Sequence, residues 1–180
     1  MTHSMTILHT PRLRLEPFND SHLDGLAEMN ANPEVARYIS GIPETREQTQ
    51  AAIERVKAKW AELGYSWWSF FELESGLLVG AGCVQHLGRD KANPHELGWR
   101  LRRDRWGRGY AIEAAREMTR FAFEDLQAPL VQAVCVPANT ASSAVMLKLG
   151  MHYIGLQTWY EQDMATYELQ RETWLAQRSS

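Results

Sequence analysis

The chain has 180 residues, of which 44% are hydrophobic, and its net charge at pH 7 is −3. This length allows one well-buried core, and the negative charge excludes a general nucleic-acid-binding protein, which needs a broad basic face. No apolar run approaches the length of a membrane span, and the segment Met1–Met5 lacks the basic and apolar regions of a secretory signal. We therefore expect a cytoplasmic protein with neither a membrane nor a nucleic acid as partner.

The N-terminal third predicts one strand and two helices. Residues Arg12–Glu16 alternate polar and apolar side chains, as a half-buried strand does. A helix follows the cap residue Asn19 or Asp20. A capping box at Thr45–Gln48 begins a longer helix, which Gly64 ends.

The middle of the chain predicts three strands and a helix. Tyr65–Leu73 is rich in aromatic residues, Glu74–Gly76 supplies a hairpin turn, and Leu77–Leu87 forms the returning strand. The third strand, His95–Leu101, leads into a glycine-containing turn and then a helix that ends at Asp125.

The C-terminal part predicts a buried strand, a helix and two final strands. Leu130–Val136 is a continuous apolar run, typical of a strand covered on both faces. Asn139 begins a helix that Gly150 ends, and Met151–Trp174 alternates well enough for two strands. Since no repeat, linker or boundary interrupts the chain, we predict a single mixed α/β domain over residues 1–180, in the order β-α-α-β-β-β-α-β-α-β-β.

The most informative segment is Trp106–Ala111, which reads Trp-Gly-Arg-Gly-Tyr-Ala between a predicted strand and a predicted helix. A flexible turn that begins a helix leaves several backbone N–H groups unpaired at the positive end of the helix dipole. Such an end binds phosphate or pyrophosphate. Five arginines crowd the same stretch: Arg100, Arg102, Arg103, Arg105 and Arg108. The pattern therefore predicts a phosphorylated ligand.

Two familiar phosphate loops fail on side chains that their mechanisms need. A nucleotide P-loop ends in Gly-Lys-Ser/Thr, where this chain has Tyr110–Ile112. A dinucleotide fingerprint needs Gly or Ala at the position of Ile112, and an acidic residue about twenty residues further on. The strand in that place is the apolar Leu130–Val134.

The segment instead resembles the Gcn5-related N-acetyltransferase (GNAT) superfamily, in particular the RimJ/RimL-type branch that acetylates the N-termini of ribosomal proteins. The superfamily's pyrophosphate loop follows Gln/Arg-x-x-Gly-x-Gly/Ala, and Trp106–Ala111 fits it with Trp106 in the first place. The ribosomal branch commonly has Trp-Gly-x-Gly-Tyr-Ala followed by Glu-Ala, which Glu113 and Ala114 match. Asn139–Ser142 and Lys148–Met151 are similar to the family's block Asn-x-x-Ser…Lys-Leu-Gly-Phe.

Because the early strand Thr10–Leu15 also fits, the resemblance covers nearly the whole chain. It implies the GNAT fold: a central, twisted, mostly antiparallel sheet with a splayed pair of parallel strands that holds the cofactor, and flanking helices. It implies acetyl-coenzyme A (acetyl-CoA) as donor and no metal. The two isolated cysteines, Cys83 and Cys135, likewise predict buried free thiols rather than a metal site.

The resemblance also implies which residues bind the donor. Backbone N–H groups of Arg108–Ala111 would hold the pyrophosphate, and the strand Trp99–Leu101 would pair with the pantetheine arm. Arg103, Arg105 or Arg108 would meet the 3′-phosphate, with a solvated basic turn as the alternative. The expected donor-binding residues are Trp99, Arg100, Leu101, Trp106, Gly107, Arg108, Gly109, Tyr110, Ala111, Asn139 and Ser142.

Two catalytic residues are expected. Glu96 is the candidate base, acting directly or through a water, and its alternative is an ordinary strand carboxylate paired with an arginine. The superfamily's usual proton donor is a tyrosine at the position of Met146, so the resemblance passes this role to Ser142. Its alternative is a hydrogen bond to its own helix backbone. Asn139 is expected both to cap its helix and to contact the pantetheine.

The acceptor is less determined by the sequence. Tyr38, Trp67 and Trp68 are the candidate acceptor-binding residues, although Trp67 and Trp68 must point to opposite faces of their strand, and either is also a candidate for the core. The leading prediction is a protein N-terminal α-amino group. The alternatives are a small amine, such as a polyamine, amino acid or antibiotic, and a non-catalytic acetyl-CoA-binding module. A homodimer is an open alternative.

Overall fold

The structure is a computed structural model that describes residues 5–179. The contacts between residues fall into two groups, which divide the chain into two compact units. The first consists of the chain up to Cys83 together with Trp99–Ala114, and the second of Val84–Gly98 together with the chain from Ala115 onward.

Antiparallel strands form the sheet of the first unit. They are β1 (Leu8–His9), β2 (Leu13–Pro17), β3 (Trp67–Glu72) and the first part of β4 (Leu78–His86), each paired with the next. The alternation that predicted β2 reflects burial, because Leu13 and Leu15 are fully buried. Gly80 on β4 allows a close approach, since a Cβ there would lie 2.7 Å from the carbonyl oxygen of Arg100.

Three helices belong to the first unit: α1 (Leu23–Asn30), α2 (Pro33–Ala36) and α3 (Arg46–Leu63). The predicted capping box of α3 is confirmed. The Gln48 backbone N–H donates to Thr45 Oγ1 at 3.2 Å, and the Thr45 N–H donates to Gln48 Oε1 at 2.8 Å. Gly64 ends the helix at φ 80°, in the left-handed region that favours glycine.

The second unit contains the parallel pair of strands. It comprises the start of β5 (His95–Leu101), then β6 (Leu130–Cys135), β7 (His152–Trp159) and β8 (Gln162–Gln170). Strand β8 pairs antiparallel with both β6 and β7, whereas β5 pairs parallel with β6. The mixed sheet with one parallel pair is therefore confirmed.

The parallel ladder is short. Its register joins His95 to Val131 and Glu96 to Gln132, although β6 continues to Cys135. Among the described residues of this unit, β5 therefore leaves the ladder directly after Glu96. The sequence resemblance implied such a splay.

The helices of the C-terminal half are α4 (Tyr110–Arg120), which a π-helical turn continues to Asp125, then α5 (Thr140–Lys148) and α6 (Arg171–Arg178). The prediction of strand as far as Trp174 was wrong, because α6 begins at Arg171. Its cap residue, Gln170, makes no side-chain cap hydrogen bond, so the sequence carried no local start signal there. None of the helices in the described part of the chain is long and apolar enough to cross a membrane.

Candidate active site

The turn between β5 and α4 has the backbone shape that the sequence predicts. Gly107 and Gly109 lie at φ 76° and 80°, which other residues rarely adopt. Among residues 5–179, a Cβ on Gly107 would meet nothing within 4 Å, and one on Gly109 would meet only Arg12 Nη2, at 3.3 Å. The outer side of the turn is therefore open to a ligand.

Backbone N–H groups are available at this turn. The Glu113 N–H donates to the Gly109 carbonyl at 3.2 Å, which closes the first turn of α4. The N–H groups of residues 110–112 precede that bond and have no acceptor within the helix. Since the positive end of the helix dipole lies at the same place, the turn forms an anion site.

A buried carboxylate anchors both ends of the turn. Glu72 on β3 is 4% exposed. Its Oε2 accepts hydrogen bonds from Arg105 Nε at 2.9 Å and from the Tyr110 hydroxyl at 2.7 Å, and its Oε1 accepts from Ser75 Oγ at 2.6 Å. The donors, with Arg105 first, lower the pKa of Glu72 to about 2. Because Arg105 and Tyr110 flank the glycine turn, Glu72 ties that turn to β3.

Arg12 forms a second anchor. Its Nε donates to Glu113 Oε1 at 2.7 Å, its Nη1 donates to the Arg108 carbonyl at 2.9 Å, and its guanidinium lies 4.4 Å from the ring centre of Tyr110. Glu113 Oε2 also accepts a hydrogen bond from Thr10 Oγ1 at 2.6 Å. These bonds hold the Arg108 carbonyl toward Arg12.

Sequence reasoning missed Glu72, and it treated Arg12 only as part of the first strand. The available signal for Glu72 was a carboxylate at the end of the aromatic-rich strand Trp67–Glu72. A buried acid requires a cation or several donors, and Arg105 was one of the arginines crowded around the turn.

The arginines near the turn differ in their partners. Arg102 pairs with Asp104, and Arg103 pairs with Glu34. Arg105 is committed to Glu72, whereas the exposed side chain of Arg108 makes no polar contact within the described part of the chain. Among the three arginines expected to meet the 3′-phosphate, Arg108 therefore has the guanidinium with the fewest polar contacts.

An open cavity of about 320 Å³ lies at the end of β5. Its lining comes from α1, the residue before α2 and the segment after β5: Glu28, Met29, Asn32, Arg102, Arg103 and Asp104. Close by in sequence, the Trp106 indole is 41% exposed, and its Nε1 donates to the Leu101 carbonyl at 3.0 Å. The first unit thus has both an anion-binding turn and a cavity beside the strand that leads to it.

Glu96 belongs to the second unit and is 6% exposed. Its Oε1 accepts hydrogen bonds from the Tyr160 hydroxyl at 2.5 Å and from Gln85 Nε2 at 3.0 Å. Burial raises the pKa of Glu96, although both hydrogen bonds and the charge of Arg89 act to lower it. The alternative of an arginine-paired strand carboxylate is not observed, since Glu96 forms no ion pair in the described structure.

Asn139 and Ser142 lie at the start of α5. Asn139 Oδ1 accepts the Ser142 backbone N–H at 3.2 Å, which confirms Asn139 as the helix cap. Within the described part of the chain the Ser142 hydroxyl has no hydrogen-bond partner, whereas Ser143 Oγ donates to the Thr140 carbonyl at 3.1 Å. Met146, which occupies the superfamily's tyrosine position, is buried. The alternative of a backbone-bonded Ser142 hydroxyl is thus not observed.

The acceptor candidates Trp67 and Trp68 differ in burial, as the alternation of side chains along a strand requires. Trp68 is fully buried, donates from Nε1 to the Thr6 carbonyl at 2.8 Å and packs edge-on against Trp60. This packing corrects the expectation for Trp68, because the indole belongs to the core and offers no surface to a ligand. Trp67 is half-buried and carries the Arg100 guanidinium at 5.1 Å from its ring centre. Tyr38 is also half-buried, with Arg37 over its ring.

Comparison with known proteins gives the family. The protein-family model described as "Acetyltransferase (GNAT) domain" matches residues 12–152. The chain belongs to the GNAT acetyltransferases. It is 30% identical to the uncharacterised protein YkkB of Bacillus subtilis, over 91% of this chain and 95% of that protein. It is 29% identical to the FsC-acetyl coenzyme A-N(2)-transacetylase of Aspergillus fumigatus, over 93% of this chain and 77% of that one.

The GNAT fold is likewise confirmed. The crystal structure of an acetyltransferase from Agrobacterium tumefaciens superposes with a TM-score of 0.80 and 26% identity, over 94% of this chain and 96% of that one. The protein is therefore an acyltransferase, and acetyl-CoA is the donor that its family uses. The left-handed glycines and the open outer side of the turn suit a pyrophosphate, so these residues fit that donor.

Proposed function

We propose that this GNAT enzyme transfers an acetyl group from acetyl-CoA to the α-amino group of a protein N-terminus. The main observation behind the proposal is the glycine turn Trp106–Ala111, which hydrogen bonds involving Glu72 and Arg12 anchor. The motif of this turn and the uncommitted Ser142 hydroxyl support the RimJ/RimL-type branch, which acts on protein N-termini.

The first unit binds the donor, which supplies the acetyl thioester. Backbone N–H groups of Arg108–Ala111 hold its pyrophosphate, and the Arg108 guanidinium meets its 3′-phosphate. The backbone of Trp99–Leu101 pairs with its pantetheine arm, as an added strand would. Trp106 packs beside the pyrophosphate, and Asn139 contacts the pantetheine while it caps α5.

Glu96 accepts the proton of the acceptor amine. An α-amino group loses its proton near pH 8, whereas a lysine side chain requires about pH 10.4. Because burial raises the pKa of Glu96, this carboxylate is a stronger base than an exposed one. A base of this kind suits an α-amino group better than a lysine.

Two further groups stabilise the charge that develops during transfer. A backbone N–H between Trp99 and Leu101 donates to the thioester oxygen, and the Ser142 hydroxyl donates a proton to the departing sulfur. Tyr38 and Trp67 contact the acceptor.

A second candidate function is acetylation of a small amine. The relative from Aspergillus fumigatus is named FsC-acetyl coenzyme A-N(2)-transacetylase, and the match covers 93% of this chain. That likeness favours a small amine-bearing acceptor.

Hydrolysis-corrected thiol release from acetyl-CoA distinguishes these functions. The panel contains peptides with free N-termini, the same peptides with blocked N-termini, and small amines. We expect turnover on the free peptides and none on the blocked ones. Turnover confined to small amines would establish the second function. Tight binding of acetyl-CoA with no turnover on any amine would indicate a non-catalytic module.

A further inference from the structure

Arg100 differs from Arg102, Arg103 and Arg105 in its partners. It lies on β5 between Trp99 and Leu101, yet its Nη1 donates only to the neutral Oδ1 of Asn30, at 3.2 Å. Arg102, Arg103 and Arg105 each pair with a carboxylate. Arg100 forms no ion pair in the described structure.

The remaining donors of Arg100 retain some contact with solvent. A guanidinium has five N–H donors in a planar fork, and one hydrogen bond leaves most of them unused. Among the described residues no buried side-chain nitrogen or oxygen lacks a hydrogen-bond partner. The unbonded nitrogens of Arg100 therefore border space that solvent can enter.

The surroundings fix this guanidinium in place. One face lies over the Trp67 ring, 5.1 Å from its centre. Asn30 Nδ2 contacts Thr49 Oγ1 at 3.4 Å, and Thr49 Oγ1 in turn donates to Glu44 Oε1 at 2.9 Å. This chain of contacts holds the Asn30 amide with its oxygen toward Arg100. Burial acts to lower the pKa of Arg100 and the charge of Glu44 acts to raise it, but arginine remains charged in proteins.

We propose that Arg100 binds a carboxylate of the acceptor, and that the enzyme selects amines bearing a carboxylate near the amino group. The inference rests on the proposed function, because it places the carboxylate beside the backbone of Trp99–Leu101. The planar fork matches a carboxylate in a bidentate manner. Trp67 covers one face of the guanidinium and leaves its edge for the ligand. The carboxylate belongs either to a free amino acid or to an acidic side chain close to a peptide N-terminus.

Matched acceptors test this selectivity. The first arm compares amino acids with their amides, and the second compares peptides that differ only by Asp or Asn at the second position. The value of kcat/KM is measured for wild type, Arg100→Gln and Arg100→Lys. In one of the arms we expect wild type to prefer the acid by about tenfold or more, the usual strength of a charged hydrogen bond. Arg100→Gln should reduce this ratio to about one, with the KM for acetyl-CoA unchanged.

Arg14→Gln is the matched control, because Arg14 also stacks on an aromatic ring, Phe71, and is partly exposed. It should keep the wild-type preference. Equal rates on acid and amide in both arms, or a preference that survives Arg100→Gln, would overturn the proposal. A rise in the KM for acetyl-CoA without a change in preference would instead assign Arg100 to the donor.

A binding readout separates this proposal from the proposed function. Titration calorimetry compares N-acetyl amino acids and N-acetyl peptides carrying the acid with their amide counterparts, on the CoA-saturated protein. Tighter binding of the acid form by wild type, lost in Arg100→Gln, would support the site even if no acceptor turned over. Arg100→Lys, which keeps the charge and loses the fork, serves if Arg100→Gln does not fold, and it should retain only part of the preference. Equal affinities of wild type for acid and amide would reject the site.

Discussion

The Tyr160 hydroxyl donates a hydrogen bond to Glu96 Oε1 across 2.5 Å, and its oxygen accepts the Gly88 backbone N–H at 3.1 Å. Tyr160 lies in the turn between β7 and β8, at φ 53°. The main chain of that turn therefore determines where the phenol meets the candidate base.

Tyr160→Phe should shift the pH dependence of the enzyme. In wild type, the hydrogen bond from Tyr160 acts to lower the pKa of Glu96. Its loss in the variant should therefore raise that pKa further. Because the base acts only when deprotonated, the acidic limb of kcat should move to higher pH. Stopped-time assays from pH 5 to 9 measure it. Tyr153→Phe on the same hairpin is the control, since Tyr153 packs against Tyr167. An unmoved limb in Tyr160→Phe would remove Glu96 from the role of base.

Glu72→Gln should weaken donor binding through the glycine turn. The change breaks the pair with Arg105 and the bond from Tyr110, so we expect a loss of stability. Acetyl-CoA should bind at least about tenfold more weakly, because the turn loses its anchor. S-acetylpantetheine, which lacks the pyrophosphate, should bind as it does to wild type. Equal losses for both ligands would indicate a general effect on the fold.

The same carboxylate predicts an acid-sensitive fold. The folded-state pKa of Glu72, about 2, lies below its ordinary value of 4.5. The stability it contributes is therefore complete above about pH 4.5 and is lost as the pH falls toward 2. Chemical denaturation at several pH values should show a shallower acid loss in Glu72→Gln than in wild type. Parallel curves would contradict this assignment.

The lowered pKa of His95 predicts a second pH dependence of the free energy of unfolding. Burial, and then the neighbouring His86, lower the pKa of His95 to about 4 from 6.5. Since the unfolded chain binds the proton more readily, stability should be complete above about pH 6.5 and fall toward pH 4. In His95→Gln this part of the loss should disappear, and the exposed His152 supplies the control substitution His152→Gln. An unchanged pH profile in His95→Gln would exclude His95 as the cause.

Ser142→Ala should lower kcat by about 10²-fold or more, with little change in the KM for acetyl-CoA. The reason is that its hydroxyl, which has no hydrogen-bond partner among the described residues, donates the proton to sulfur. Ser143→Ala removes a hydroxyl that bonds only to its own helix, at Thr140, and should retain wild-type kcat. Similar kcat values for the two variants would exclude Ser142 as the proton donor to sulfur.

The elements with local signals were predictable from the sequence. The capping box at Thr45, the glycine that ends α3 and the alternation of β2 each depend on residues close together in the chain. The glycine turn belongs to this group, because its φ values require glycine at two defined positions. Helix α6 gave no such signal, since Gln170 provides no cap bond.

The partners of the site residues were not predictable. Glu72 meets Arg105 from 33 residues away, and Tyr160 meets Glu96 from 64 residues away. Such pairs depend on how the strands are placed in space, which periodicity and spacing do not contain. Strand alternation did separate Trp67 from Trp68, but only the fold shows that Trp68 faces the core.

The most direct test of the central claim is calorimetric titration of acetyl-CoA into wild type, Gly109→Ala and Gly76→Ala. Both glycines have left-handed backbones, at φ 80° and 75°, so the two variants incur similar strain. A glycine turn that holds the pyrophosphate predicts that Gly109→Ala alone binds at least about tenfold more weakly, because the altered residue lies in the anion site. Equal affinity in all three proteins would contradict the assignment of the donor site.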